Sequence, residues 1–133
     1  MEKIEHIGIA VKDLNQANKT FQKLLGIHPY KTEVVITENV ITSFFEIGES
    51  KVELLESSDP NSVIAKFLEK RGEGLHHIAY SVNNIYDEMK RLKTEGFVLI
   101  NEEPKRGADN KLVCFLHPRD TNGVLMELCQ EII

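Results

Sequence analysis

Two histidines and two glutamates recur in this sequence at nearly one offset. His6 opens the run HIGIAV, and 71 residues later His77 opens the similar run HIAYSV. Glu53 lies within VELLE, and 74 residues later Glu127 lies within VLMEL. Imidazole and carboxylate ligands without a thiolate suit a divalent ion such as cobalt, nickel, manganese or zinc. The sequence therefore predicts one divalent metal ion per chain. Its ligands would be His6, Glu53, His77 and Glu127.

An ion with four protein ligands in an octahedral shell keeps two positions for oxygens of a substrate. It would act as a Lewis acid and stabilise an enolate formed from a bound carbonyl compound. A positioned carboxylate base adds about 10²–10⁴-fold to the rate of proton transfer. Because Glu53 and Glu127 are related by the repeat, we expect these two catalytic groups to approach the substrate from opposite sides. They would remove a proton from one face and return it to the other.

The elements that carry these residues repeat as well. Apolar and small residues alternate after each histidine, which is typical of a half-buried strand. Asp13 and Asn84 then supply N-caps for helices that end near Gly26 and Gly96. The ordinary alternative for one strand histidine is a packed or solvated side chain. Four landmarks in one order favour instead a duplicated unit of about 60 residues.

Each copy is predicted to be a βαβββ module in an α+β fold. The two tandem modules would form a curved mixed sheet around a metal-binding cleft. Residues 1–133 make one domain, with module 1 at about 1–58, a connecting helix at about 62–71 and module 2 at about 74–133. Helices are predicted at 14–25, 62–71 and 85–95, and strands at 4–11, 33–36, 40–47, 51–56, 76–82, 97–100, 111–117 and 124–130. Pro104 to Asn110 is predicted to be a loop.

Composition limits the partners. The chain has 133 residues, 41% of them hydrophobic, and a net charge of −5. We therefore expect no nucleic-acid partner, which would require a basic surface. No apolar run approaches the length of about 20 residues that a membrane span requires, so no membrane partner is expected. The two cysteines have no close spacing and no secretory context, which favours reduced thiols and a cytoplasmic location.

Several polar residues of module 2 are candidates for substrate contact. They are His117, which ends a predicted strand, and the basic residues Lys105, Arg106 and Lys111. The basic groups would meet the phosphates of a large anionic substrate, with solvated surface charge as the ordinary alternative. His76 has the opposite strand parity to His77, so it should face away from the metal ligands. His28 is expected at the surface.

The sequence resembles the vicinal oxygen chelate superfamily, and within it the methylmalonyl-CoA epimerase family. The matching segments are HIGIAV from residue 6, AKFLEK from 65, GEGLHHIA from 72, GA from 107, FLHP from 115 and GVLMEL from 123. They are distributed over nearly the whole chain, and the last two are the most specific to the epimerases.

The resemblance implies epimerisation of (2R)- and (2S)-methylmalonyl-CoA through a metal-bound enolate, with an acyl-CoA substrate and a homodimer. His6, His77 and Glu127 match the metal positions of the family, whereas Glu53 replaces a frequent glutamine. Thr42 stands where some bacterial epimerases carry a second catalytic glutamate, and we expect Glu53 to take part of that role.

Two other functions remain open at this point. The set of two histidines and two glutamates is also like that of glyoxalase I (lactoylglutathione lyase), which acts on the methylglyoxal–glutathione hemithioacetal. A member of the superfamily that binds small molecules without catalysis is the other alternative, although it would not need to keep four ligands. The fourth ligand argues against an extradiol dioxygenase, which uses iron held by two histidines and one carboxylate.

Overall fold

A computed structural model describes all residues from 1 to 133. The chain folds into a mixed eight-stranded sheet and three α-helices, so the predicted α+β class is confirmed. The strands are β1 (Lys3–Ala10), β2 (Lys31–Val35), β3 (Val40–Ile47), β4 (Ser50–Ser57), β5 (Gly74–Ser81), β6 (Lys105–Gly107), β7 (Lys111–Leu116) and β8 (Leu125–Glu131). The helices are α1 (Leu14–Leu25), α2 (Val63–Arg71) and α3 (Ile85–Thr94). No helix has the length and apolar character needed to cross a membrane.

The chain divides into two compact units. One, called the 77–133 unit below, contains Met1–His6 together with His77–Ile133. The other, the 7–76 unit, contains Ile7–His76. The first residues of β1 therefore belong to the unit that contains the second copy of the repeat, and the last residues of β1 belong to the other unit.

In the 7–76 unit, β2, β3 and β4 form an antiparallel ladder, and the end of β1 lies next to β4. One face of this ladder packs against α1 through a core formed by Val11, Leu14, Phe45 and Leu54. Phe44 pairs with Glu53 across β3 and β4. Since side chains alternate between faces along a strand, Phe44 and Glu53 lie on the face opposite to that core.

In the 77–133 unit, the strand order is β1-β5-β8-β7-β6. β5 and β8 are parallel, whereas β8, β7 and β6 are antiparallel. One face packs against α3 through Ile85, Met89, Leu92 and Leu128. The other face has a smaller core of Ala79, Val113 and Cys129, against which Phe115 packs. The polar residues of interest lie on this second face.

The predicted helix caps are confirmed. The Asp13 carboxylate accepts a hydrogen bond from the Gln16 backbone N–H at 3.1 Å, and the Asn84 amide oxygen accepts one from Asp87 at 3.2 Å. α1 ends at Gly26, whose φ of 71° places it in the left-handed region that glycine tolerates best. These caps fix where the chain leaves each strand and enters each helix.

The predicted strand at 97–100 is wrong as a full strand. Only Leu99 forms an isolated bridge, with Leu116. Phe97 and Leu99 pack against the core under α3, which explains the alternating pattern, but no continuous ladder follows. The short strand β6 lies instead at Lys105–Gly107, within the segment that was predicted to be a loop. Its three residues pair with Lys111–Val113 of β7.

Candidate metal centre

The imidazole rings of His6 and His77 converge. Their Nε2 atoms lie 3.0 Å apart, and the rings are nearly perpendicular at 88°. Both residues are buried, with 4% and 5% of their surface exposed. Two nitrogens held about 2.1 Å from one ion at right angles would be about 3.0 Å apart. The spacing of the two Nε2 atoms therefore suits joint ligation of one metal ion.

Glu127 adds a carboxylate to the two imidazoles. Its Oε1 lies 3.4 Å from His77 Nε2, and its Oε2 lies 3.8 Å from His6 Nε2. His6, His77 and Glu127 each offer one donor atom, and these three atoms lie within 4.8 Å of one another. Buried nitrogen and oxygen donors at these separations fit a divalent ion of the cobalt, nickel, manganese or zinc type.

Small residues and strand register create this arrangement. β5 and β8 run parallel with Ala79 opposite Glu127, and His77 precedes Ala79 by two residues on the same face. Ala79 is fully buried, and its methyl group takes little space between the imidazole and the carboxylate. The alternation of small residues in HIAYSV therefore explains how a histidine and a glutamate on neighbouring strands can share one volume.

Three neighbouring side chains support the ligands and were not found from the sequence. The Glu5 Oε1 atom lies within hydrogen-bond distance of His6 Nδ1, at 2.7 Å. The Cys129 thiol donates to Glu127 Oε2 at 2.7 Å. The Phe115 ring packs edge-on against His77, with centroids 6.0 Å apart. The position of Cys129 two residues after Glu127 was a usable signal, whereas simple alternation would have directed Glu5 away from His6.

Glu53 lies on β4, in the 7–76 unit. It is 4% exposed, so the carboxylate predicted as the fourth ligand is buried. Thr42 lies on the same face because its β4 partner is Leu55, two residues beyond Glu53. Thr42 is fully buried and its hydroxyl has no hydrogen-bond partner. The assignment of Glu53 to the metal rests on the repeat.

The candidates for substrate contact lie in different surroundings. The Lys105 ammonium group is 6.0 Å from the centroid of the Phe115 ring. The same ring packs against His77. Lys111 is buried and lies 3.8 Å from the Glu131 carboxylate. Arg106 is exposed on β6. The Nδ1 atom of His117 accepts a hydrogen bond from the Arg119 backbone N–H at 3.2 Å, so His117 caps the turn after β7.

His76 and His28 are the two histidines assigned neither to the metal nor to the substrate. His76 packs edge-on against Phe67 of α2, with ring centroids 5.0 Å apart. His28 is exposed, as predicted. Both cysteines are buried thiols rather than a disulfide, in agreement with the expectation of reduced thiols. Burial raises the pKa of the Cys114 thiol.

The mixed eight-stranded sheet, built from two βαβββ modules, defines the class of protein. Residues 5–115 match the model of the Glyoxalase/Bleomycin resistance protein/Dioxygenase superfamily, and the chain belongs to that superfamily.

Within the superfamily, several of the similar proteins are methylmalonyl-CoA epimerases. The chain is 41% identical to ethylmalonyl-CoA/methylmalonyl-CoA epimerase of Cereibacter sphaeroides over 96% of its own length and 97% of the relative's. It is similar to a variant of Streptomyces coelicolor methylmalonyl-CoA epimerase in complex with 2-nitronate-propionyl-CoA, at 32% identity, with a TM-score of 0.96 and coverage of 100% and 99%. A structure of methylmalonyl-CoA epimerase in complex with methylmalonyl-CoA and NH4+ is 33% identical, with a TM-score of 0.94 and coverage of 98% and 95%.

Proposed function

We propose that this protein is a metal-dependent epimerase that interconverts the 2R and 2S forms of methylmalonyl-CoA. The observation that carries the proposal is the convergence of His6, His77 and Glu127, three buried ligands with their donor atoms within 4.8 Å. The epimerases to which the chain is similar support an acyl-CoA thioester as the substrate.

The chain's own residues would hold the ion. His6 and His77 supply two nitrogens, and Glu127 supplies a carboxylate oxygen. Glu53 is proposed as the fourth ligand on the basis of the repeat and of its burial. When bound, a divalent ion would supply Lewis acidity to the thioester carbonyl oxygen and thereby make the neighbouring C–H more acidic.

The two glutamates would move the proton. In the proposed reaction one carboxylate takes the proton from C2, and the other returns a proton to the opposite face, which inverts the carbon. A positioned carboxylate contributes about 10²–10⁴-fold. The Cys129 thiol donates a hydrogen bond to Oε2 of Glu127 and thereby orients the other carboxylate oxygen, Oε1. We assign the second base to Glu53, since Thr42 has no carboxylate to contribute.

The coenzyme portion of the substrate carries phosphates, and basic side chains would recognise them. Lys105 is the candidate with the best support, because it contacts the same Phe115 ring that packs on His77. Arg106, Lys111 and His117 are proposed as further contacts. A homodimer and a cytoplasmic location complete the proposal, and the oligomeric state can be measured by analytical ultracentrifugation.

Deuterium exchange tests the proposed reaction. Methylmalonyl-CoA is incubated in heavy water with the purified protein and cobalt, and incorporation at C2 is followed by mass spectrometry. We expect exchange with the wild-type protein and with His28→Ala, which changes an exposed histidine. We expect none with His77→Ala.

A parallel assay with methylglyoxal and glutathione tests the glyoxalase I alternative, which the two-histidine, two-glutamate set favours. Formation of lactoylglutathione without exchange of methylmalonyl-CoA would replace the proposed function with the lyase. Absence of both reactions, together with binding of neither substrate, would refute the proposed catalysis.

A further inference from the structure

Glu5 is a buried carboxylate that contacts His6, a proposed metal ligand, at the ring nitrogen Nδ1. It has 5% of its surface exposed, and its Oε1 lies 2.7 Å from His6 Nδ1. A carboxylate in its ionised form can only accept hydrogen bonds, and with Glu5 in that form the contact places a proton on Nδ1. The neutral imidazole then carries its free lone pair on Nε2. That is the nitrogen that lies 3.0 Å from His77 Nε2.

We propose that Glu5 is a positioning residue that fixes the tautomer and the ring orientation of His6 for metal binding. The inference rests on the proposed metal-dependent function and extends it to a residue that is not itself proposed as a ligand or a base. Histidine ligands of metals commonly donate their second N–H to a carboxylate, and this partner raises the basicity of the ligating nitrogen. Loss of such a partner typically costs about 10–100-fold in metal affinity.

The geometry favours this role over simple filling of the interior. Burial of a carboxylate is costly unless a hydrogen bond compensates, and an apolar residue would fill the same space at lower cost. The Glu5 hydrogen bond goes to the one nitrogen of His6 that does not face His77 and Glu127. Glu5 and His6 also lie with Cys129 in a group whose donor atoms are within 4.8 Å of one another. Two of the proposed ligands thus have a hydrogen-bonding neighbour, Glu5 for His6 and Cys129 for Glu127.

Three variants separate the proposed role from a structural one. Glu5→Leu removes the acceptor, whereas Glu5→Gln keeps an amide oxygen that can still accept from Nδ1. Glu2→Gln is the matched control, because Glu2 is an exposed carboxylate near the same end of the chain. Circular dichroism and thermal unfolding of the metal-free proteins establish that each variant is folded. If Glu5→Leu fails to fold, the His6 tautomer measured in the wild type and in Glu5→Gln still tests the proposed role of Glu5.

The first readout is the tautomer of His6 in the metal-free protein, measured from ¹⁵N chemical shifts of the ring at neutral pH. We expect the proton on Nδ1 in the wild type, Glu5→Gln and Glu2→Gln, and a shift toward Nε2–H in Glu5→Leu. The second readout is cobalt affinity, measured by calorimetry. We expect a loss of about 10–100-fold in Glu5→Leu, with most of the affinity restored in Glu5→Gln.

The outcomes distinguish this inference from the proposed function. A wild-type His6 with its proton on Nε2, or unchanged cobalt affinity in a folded Glu5→Leu variant, would overturn the role of Glu5. A wild-type protein that binds no cobalt would overturn the metal-dependent function and, with it, the role of Glu5 in metal binding. A wild type that binds cobalt without exchanging methylmalonyl-CoA would overturn only the assigned reaction.

Discussion

His76 should make the protein less stable in mild acid. Its ring packs edge-on against Phe67 of α2, with centroids 5.0 Å apart, and Phe67 also lies 5.9 Å from the Arg71 guanidinium group. Burial lowers the pKa of His76 from 6.5 to about 4. The folded protein therefore keeps this imidazole neutral over a pH range in which the unfolded chain protonates it.

The sign of the effect follows from proton binding. Between pH 6.5 and pH 4 the unfolded state binds more protons at this position, so the free energy of unfolding decreases as the pH falls. The full contribution is present above pH 6.5 and is lost as the pH approaches 4. At about 1.36 kcal/mol per pKa unit, a change from pH 7.5 to pH 5 should cost about 2 kcal/mol through His76 alone.

Urea unfolding of the wild type and His76→Gln at pH 7.5 and pH 5 measures this contribution. The lost packing against Phe67 affects the variant at both pH values, so it cancels in the comparison of pH dependences. We expect the wild type to lose about 2 kcal/mol more than His76→Gln over this range. His28→Gln, at an exposed position, controls for the removal of an imidazole. Equal pH dependences of the wild type and His76→Gln would refute the reasoning.

Substitutions at three further positions test the site and the fold. Glu53→Gln should still bind cobalt in calorimetry but lose interconversion of the 2R and 2S forms of methylmalonyl-CoA, because the remaining base can exchange the C2 proton of one form but cannot invert the carbon; unchanged turnover would contradict its assignment as a base. Cys129→Ala removes the thiol that donates to Glu127. Cobalt affinity measured by calorimetry should therefore fall by about three- to tenfold, as expected for a hydrogen bond of about 1 kcal/mol. Cys129→Ser keeps a donor and should retain the wild-type affinity for cobalt. Asp13→Ala removes the N-cap of α1 and should lower the free energy of unfolding, measured in urea, by about 1 kcal/mol. An unchanged unfolding midpoint would show that this cap contributes nothing.

Local signals were sufficient for most elements of the fold. The helix at 14–25 was predicted with the bounds that the structure has, because Asp13 and Gly26 mark its ends chemically. The alternating strands around His6 and His77 were also located within a few residues. In each case the information lies in neighbouring residues, either as a cap or as a period of two.

The segment from 97 to 107 shows where local signals fail. Phe97 and Leu99 alternate with exposed residues as a strand would, but whether a ladder forms depends on a partner strand elsewhere in the chain. Lys105–Gly107 has a charged, glycine-containing sequence and still pairs with β7. A three-residue edge strand depends on its neighbour more than on its own propensity, and that dependence cannot be seen in the local sequence.

The convergence of three of the proposed ligands was predictable because a duplication repeats them, whereas their hydrogen-bonding neighbours were not predictable. His6, His77 and Glu127 stand out by their offsets and lie together in the structure. Glu5 has no counterpart in the second copy, where Leu75 and His76 precede His77. Its contact with His6 depends on side-chain directions that a simple alternation of faces does not describe.

The division of β1 between the two compact units constrains when the proposed metal centre could form. Residues 1–6 belong with residues 77–133, so His6 is made early and must wait for partners that the ribosome adds much later. The whole of the 7–76 unit is synthesised between His6 and His77, and Glu127 follows only after a further 50 residues. The proposed binding site is consequently incomplete in a nascent polypeptide until Glu127 has left the ribosomal tunnel, and an ion would be acquired only after that step.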